Sequence, residues 1–200
     1  MNLIDHSKRP LIHLIAIVIV PVALFLFDII PFAFRFHAFG AMTIVSIMIV
    51  MLDHISAEHL GLNNVQWNKS AVAYSFATIP LIVVLFLAPR FGVSDRISAP
   101  DSWSFYSFYI LILCPSQEFL FRSALYAAVK RHNGSFLEYV LVSSTLFAIV
   151  HVVYRDLITI IVSLGIGLIW SSIFWHSPNL YLVSLSHAIL GFLTIRLGLI

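Results

Sequence analysis

Seven stretches of nearly uninterrupted apolar residues alternate with short polar connections along this chain, at 10–27, 36–52, 71–88, 103–129, 136–153, 157–175 and 180–198. Each reaches or approaches the roughly 20 residues that a helix needs to cross the hydrocarbon of a bilayer. The pattern predicts an all-α, polytopic transmembrane helix bundle of about seven spans, with six to eight the range that the lengths allow. The second stretch is short because Arg35 and Asp53 bound it. The fourth is long, ~40 Å at about 1.5 Å per residue, and Pro115 inside it predicts a kink.

The connections are polar and short, and no internal repeat or hydrophilic domain interrupts the pattern, so residues 1–200 read as one integral-membrane domain. Between Leu52 and Ser70 lie His54, His59, Asn63, Asn64 and Lys69, expected at the interface or in solvent. Between Pro89 and Ser102 lie Arg90, Asp95, Arg96 and Asp101, expected in an exposed connection. Lys8 and Arg9 precede the first apolar run, which lacks an Ala-x-Ala-like exit and therefore reads as a retained anchor. With seven spans, Lys and Arg divide evenly between the two sides, so charge alone sets no orientation.

Composition narrows the class. Charged residues make up 10% of the chain, against about 25% in a soluble domain, which makes this a membrane protein whose first partner is the lipid bilayer. The formal charge of +2 is spread out, with no basic run suited to nucleic acid. Cys114 is the sole cysteine, which excludes an internal disulfide.

Against this apolar background, a few polar residues stand out. Glu118 and Arg122 lie four residues apart inside the fourth stretch, on one helix face. A charge at mid-membrane costs roughly 2.5–3.5 kcal/mol on insertion scales, so two of them in one span need a reason. That reason is either a structural ion pair or a polar site inside the bilayer. Downstream, His151 interrupts the fifth stretch and His187 the seventh. Each could simply hydrogen-bond a neighbouring helix. Together with Glu118 and Arg122 they point to a shared interior site, and a helical rise of about 1.5 Å per residue puts all three titratable positions in the middle zone of the bilayer.

Glu118-x-x-x-Arg122, then Phe147-x-x-x-His151, then His187 followed by three residues and Gly191, in that order on successive helices, resembles the CPBP (Abi) family of intramembrane glutamic proteases. This family comprises type II CAAX prenyl endopeptidases and bacteriocin-processing enzymes. The resemblance covers about 102–191. It implies an intramembrane endopeptidase, at home in a bacterial cytoplasmic membrane, acting on a membrane-associated or lipidated protein without a cofactor. It further implies that Glu118 activates water or polarises it, that Arg122 holds Glu118, that His151 binds the water and that His187 steadies the oxyanion.

Two positions depart from the family pattern. Gln117 stands where the first of two glutamates is expected, and a side-chain amide can orient water but not take its proton. Gly191 stands where an asparagine is expected, so the oxyanion donor must be His187, a backbone N–H or another polar residue, with Ser184 and Ser186 nearby in sequence. These departures favour the alternative of an inactive relative serving as a membrane immunity or scaffold protein. The chain has no His-Glu-x-x-His and no Gly-x-Ser-x-Gly, and apolar surroundings leave the Cys114 thiol inert. Glu118, His151 and His187 have the composition of a catalytic zinc set. His151 and His187 alone could ligate a haem, which would leave Glu118 and Arg122 without a role.

Overall fold

The computed structural model describes residues 6–62, 67–91 and 102–199. All regular structure among them is helical, and each of the seven apolar stretches forms a helix. In chain order these are α1 (Arg9–Leu26), α2 (Arg35–Leu52), α3 (Trp67–Leu87), a long segment made of α4 (Trp103–Phe108), α5 (Cys114–Glu118) and α6 (Leu125–Arg131), then α7 (Phe136–His151), α8 (Leu157–His176) and α9 (Leu180–Arg196). The connection after Pro89 starts as a 3₁₀ turn, Ala88–Phe91; Asn63, Asn64, Asp95, Arg96 and Asp101 lie outside the described residues.

The ends of the later helices are set by side chains. Ser135, Asp156 and Asn179 cap α7, α8 and α9 by accepting from the backbone N–H of Glu138 at 3.1 Å, Thr159 at 2.8 Å and Leu182 at 3.0 Å. Each cap satisfies a donor that the first turn would otherwise leave bare in a medium without water. Glu138, three residues after Ser135, also accepts from His132 Nε2 at 2.9 Å. Arg35 and Asp53 bound α2, as expected.

Among the described residues five helices are long and apolar enough to cross a membrane by length and composition, and the chain is an integral membrane protein. The count of seven is not reached on that measure, for two local reasons. Helix α9 has 17 residues, ~26 Å at about 1.5 Å per residue, against a hydrocarbon core of about 30 Å. The segment 103–131 is cut by two π-helical turns, Tyr109–Leu113 and Phe119–Ala124. The irregularity expected at Pro115 takes this form: Pro115 sits in the first turn of α5, just after a π turn. Proline has no N–H and crowds the carbonyl four residues back, and a widened turn relieves both conflicts.

The helices meet through small and hydroxylated residues, as expected where lipid removes most of the hydrophobic incentive to associate. A Cβ added at Gly167 on α8 would lie 3.0 Å from Cα and Cβ of Ser144 on α7. In the same region Ser143 Oγ donates to the Phe121 carbonyl at 2.6 Å and pairs with Ser171 Oγ at 2.7 Å. Thr78 on α3 pairs with Ser186 on α9 at 2.6 Å, and Ser70 with Ser177 at 2.6 Å. Such interhelical bonds average about 0.6 kcal/mol each in a bilayer. They gain more in register than in energy.

On α1, Leu11, Leu14, Val18, Val22 and Phe25 form a buried stripe at helical spacing, while Phe76 and Met51 on α3 and α2 face outward. The connection 53–62 folds back on the bundle: Ser123 Oγ donates to the Leu60 carbonyl at 2.7 Å, and Leu180 N–H to that of Gly61 at 2.9 Å. Gly61 has φ +68, and an added Cβ would stand 2.9 Å from Phe174 Cζ, so both backbone and space call for glycine there. His54 and His59 are exposed, as expected.

Candidate active site

The two π turns frame Cys114–Glu118, the pentapeptide that carries the polar residues. Such turns recur at functional sites because they re-aim side chains without ending the helix. Glu118 and Arg122 are both 0% exposed, with Arg122 Nε 3.1 Å from Glu118 Oε2, a close ion pair out of line for a hydrogen bond. The other carboxylate oxygen, Oε1, lies 2.6 Å from Nδ1 of His187 on α9. A carboxylate can only accept, so His187 donates through Nδ1, which leaves Nε2 as the ring's acceptor.

Aromatic rings shelter this network. The Arg122 guanidinium lies over Phe147 at 4.2 Å and Trp170 at 5.3 Å, and its Nη atoms have no hydrogen-bond partner. Cation–π attraction in such a dry setting reaches about 2 kcal/mol and offsets part of that deficit. The His187 ring packs on Trp170 at 5.0 Å and edge-on against Phe147 at 5.8 Å. Trp170 is itself fixed by donating Nε1–H to Ser186 at 3.0 Å. Ser186 is therefore held in the α3–α9 seam, whereas Ser184 Oγ is buried without a partner.

His151 ends α7 and approaches the same centre from the other side of the motif. Its Nδ1 donates to the Phe147 carbonyl at 2.7 Å, again leaving Nε2 as the acceptor, and its ring packs on Phe147 at 4.9 Å. His151 and Gln117 line a cavity of ≈60 Å³ together with Leu113, Arg35 and Tyr154. A water takes about 10–15 Å³ of such volume, so the space suits a few waters rather than a peptide. Gln117 Oε1 is buried with no partner, available to such a water.

The structure thus brings Glu118, Arg122 and His187 into direct contact, and places Gln117 with His151 at the cavity. Adjacent helical residues point about 100° apart, which is why Gln117 and Glu118 serve different walls. Glu118 meets His187 directly rather than across a water. Among the described residues no three His, Cys, Asp or Glu side chains stand arranged to hold one metal ion, and Glu118, His151 and His187 form no such group.

Tyr109 is the neighbour that sequence reasoning missed. Its ring meets His187 edge-on at 6.3 Å, and a Cβ added at Gly191 would overlap its hydroxyl. No local signal ties the two positions, since Tyr109 opens the first π turn and Gly191 lies on α9.

Comparison with curated proteins and with solved structures gives no match. Residues 99–193, which contain Glu118, Arg122, His151, His187, Gln117 and Tyr109, match the family model described as Type II CAAX prenyl endopeptidase Rce1-like, and in this segment the chain is similar to that protease family.

Proposed function

We propose that this protein is an intramembrane endopeptidase that hydrolyses a peptide bond near a membrane-embedded or lipidated part of a protein substrate. The observation that carries this reading is the 2.6 Å contact between Glu118 and His187, buried beside Arg122 within the Rce1-like segment. An isolated ion pair inside a bilayer needs only two members. The third, an imidazole whose Nδ1–H is held by a carboxylate, is the arrangement that makes a histidine a directed base.

In this mechanism Glu118 polarises water through His187. Arg122 fixes the carboxylate, the carboxylate fixes the tautomer, and Nε2 of His187 takes a proton from water. The water oxygen bonds to the scissile carbonyl carbon as the C=O π pair moves to oxygen. When the tetrahedral intermediate collapses, the C–N bond breaks and the proton on His187 passes to the departing amine. His151 Nε2 and Gln117 line the cavity from which the water is drawn toward His187, and Gln117 orients it without acting as a base. No cofactor is assigned to the reaction. The cavity has space for water alone, so a substrate reaches it by parting the helices that line it, α1, α2 and the end of α7.

The test is cleavage of a farnesylated peptide ending in Cys-aliphatic-aliphatic-X, and of an unlipidated apolar peptide, by the purified protein in liposomes. Cleavage of either by the wild-type protein, lost in Glu118→Gln and in His187→Ala, supports the reading. A well-folded wild-type protein that leaves both intact contradicts it and favours a peptide-binding role.

A further inference from the structure

We propose that the phenolic hydroxyl of Tyr109 donates the hydrogen bond that stabilises the oxyanion formed on the scissile carbonyl, an inference that rests on the proteolytic reading above. A tetrahedral intermediate needs a donor aimed at its oxygen, and removing one such donor typically costs about 10²–10³ in rate. The side chains already placed are committed: His187 Nδ1 to Glu118, His151 Nδ1 to the Phe147 carbonyl, Trp170 Nε1 to Ser186. Neither histidine has a second proton to give while its Nε2 is the acceptor.

Tyr109 has both the position and the proton. Gly191 follows His187 by one helical turn on the same face of α9. A Cβ built at Gly191 would overlap the Tyr109 hydroxyl and stand 2.8 Å from Cζ and 3.0 Å from Cε1. The phenol end of Tyr109 thus fills the volume that a side chain at position 191 would take, beside His187. The ring is held on two sides, stacked on Phe105 at 6.2 Å and edge-on to His187 at 6.3 Å. The π turn Tyr109–Leu113 begins at this residue and sets its direction. A phenolic hydroxyl carries one proton that rotates about the C–O bond, so it can turn toward a developing oxyanion. During attack the hydroxyl gives a hydrogen bond only; the transferred proton stays on His187.

The experiment measures kcat and KM for the farnesylated peptide in liposomes, comparing wild type, Tyr109→Phe, Tyr109→Ala and the double variant Tyr109→Ala/Gly191→Asn. Tyr109→Phe keeps the ring and its packing and removes only the donor. It is expected to lower kcat about 10²–10³-fold with KM within about twofold of wild type. Tyr109→Ala should fall as far, and the double variant, which sends an amide donor from α9 into the vacated volume, should regain about tenfold or more. A Tyr109→Phe variant within about threefold of the wild-type kcat, or one changed in KM alone, overturns the assignment while leaving the protease reading intact. A wild-type protein that cleaves nothing overturns both.

Discussion

Glu118 Oε1 and His187 Nδ1 stand 2.6 Å apart although 69 residues separate them in the chain. Arg122 closes the other side of the same carboxylate at 3.1 Å. Each of the three therefore constrains the next, and Nε2 of His187 is the end point of that constraint. The predictions below test different links.

Removing Arg122 alone leaves a buried carboxylate held by His187 only. Arg122→Met should destabilise the protein by about 3–5 kcal/mol, read as a lower unfolding temperature in detergent. The double variant Glu118→Leu/Arg122→Met removes both charges and should recover most of that loss, yet remain inactive. An Arg122→Met variant as stable as wild type contradicts the ion-pair geometry.

Two glycines on α8 offer a paired test of helix packing. At Gly167 an added Cβ meets Ser144 at 3.0 Å, whereas nothing lies within 4 Å of one added at Gly165. Gly167→Ala should cost about 1–3 kcal/mol by forcing α7 and α8 apart. Gly165→Ala should be neutral or stabilising by up to about 1 kcal/mol, because alanine is the better helix former. Thermal unfolding of the two variants side by side decides it; equal stabilities contradict the close α7–α8 approach.

Gln117 lines the cavity and shares no hydrogen bond or ion pair with the Arg122 guanidinium. Gln117→Ala should therefore leave stability nearly unchanged while lowering cleavage about tenfold through loss of a water contact. Gln117→Glu puts a titrating group on the cavity wall and should add an inflection to the pH–rate profile that the wild type lacks. Profiles of identical shape contradict the placement of Gln117 at the reacting water.

Local features of this fold are written in local sequence. The seven apolar stretches become helices within a few residues of their expected ends, and Glu118 and Arg122 pair as their four-residue spacing requires. What spacing does not carry is tertiary partnership. The contact of His187 with Glu118 depends on how α9 docks, and sequence order only brings the two onto one list of interior groups. Ser186 adjoins His187 in the chain, but a turn of about 100° per residue aims it at Thr78 and Trp170 instead. The π turns leave Pro115 as their one mark in sequence, and so Tyr109, which the first of them positions, could not be connected to Gly191.

The central claim is that the Glu118–His187 pair activates water for peptide-bond hydrolysis. The most direct measurement compares wild type with Glu118→Gln, purified in parallel and shown to have the same unfolding temperature within a few degrees, in liposomes carrying the farnesylated peptide. Glutamine keeps the shape and a hydrogen-bond acceptor for His187 but removes the charge, and the cleavage rate should fall about 10³–10⁴-fold. Cleavage by Glu118→Gln at the wild-type rate would contradict the account.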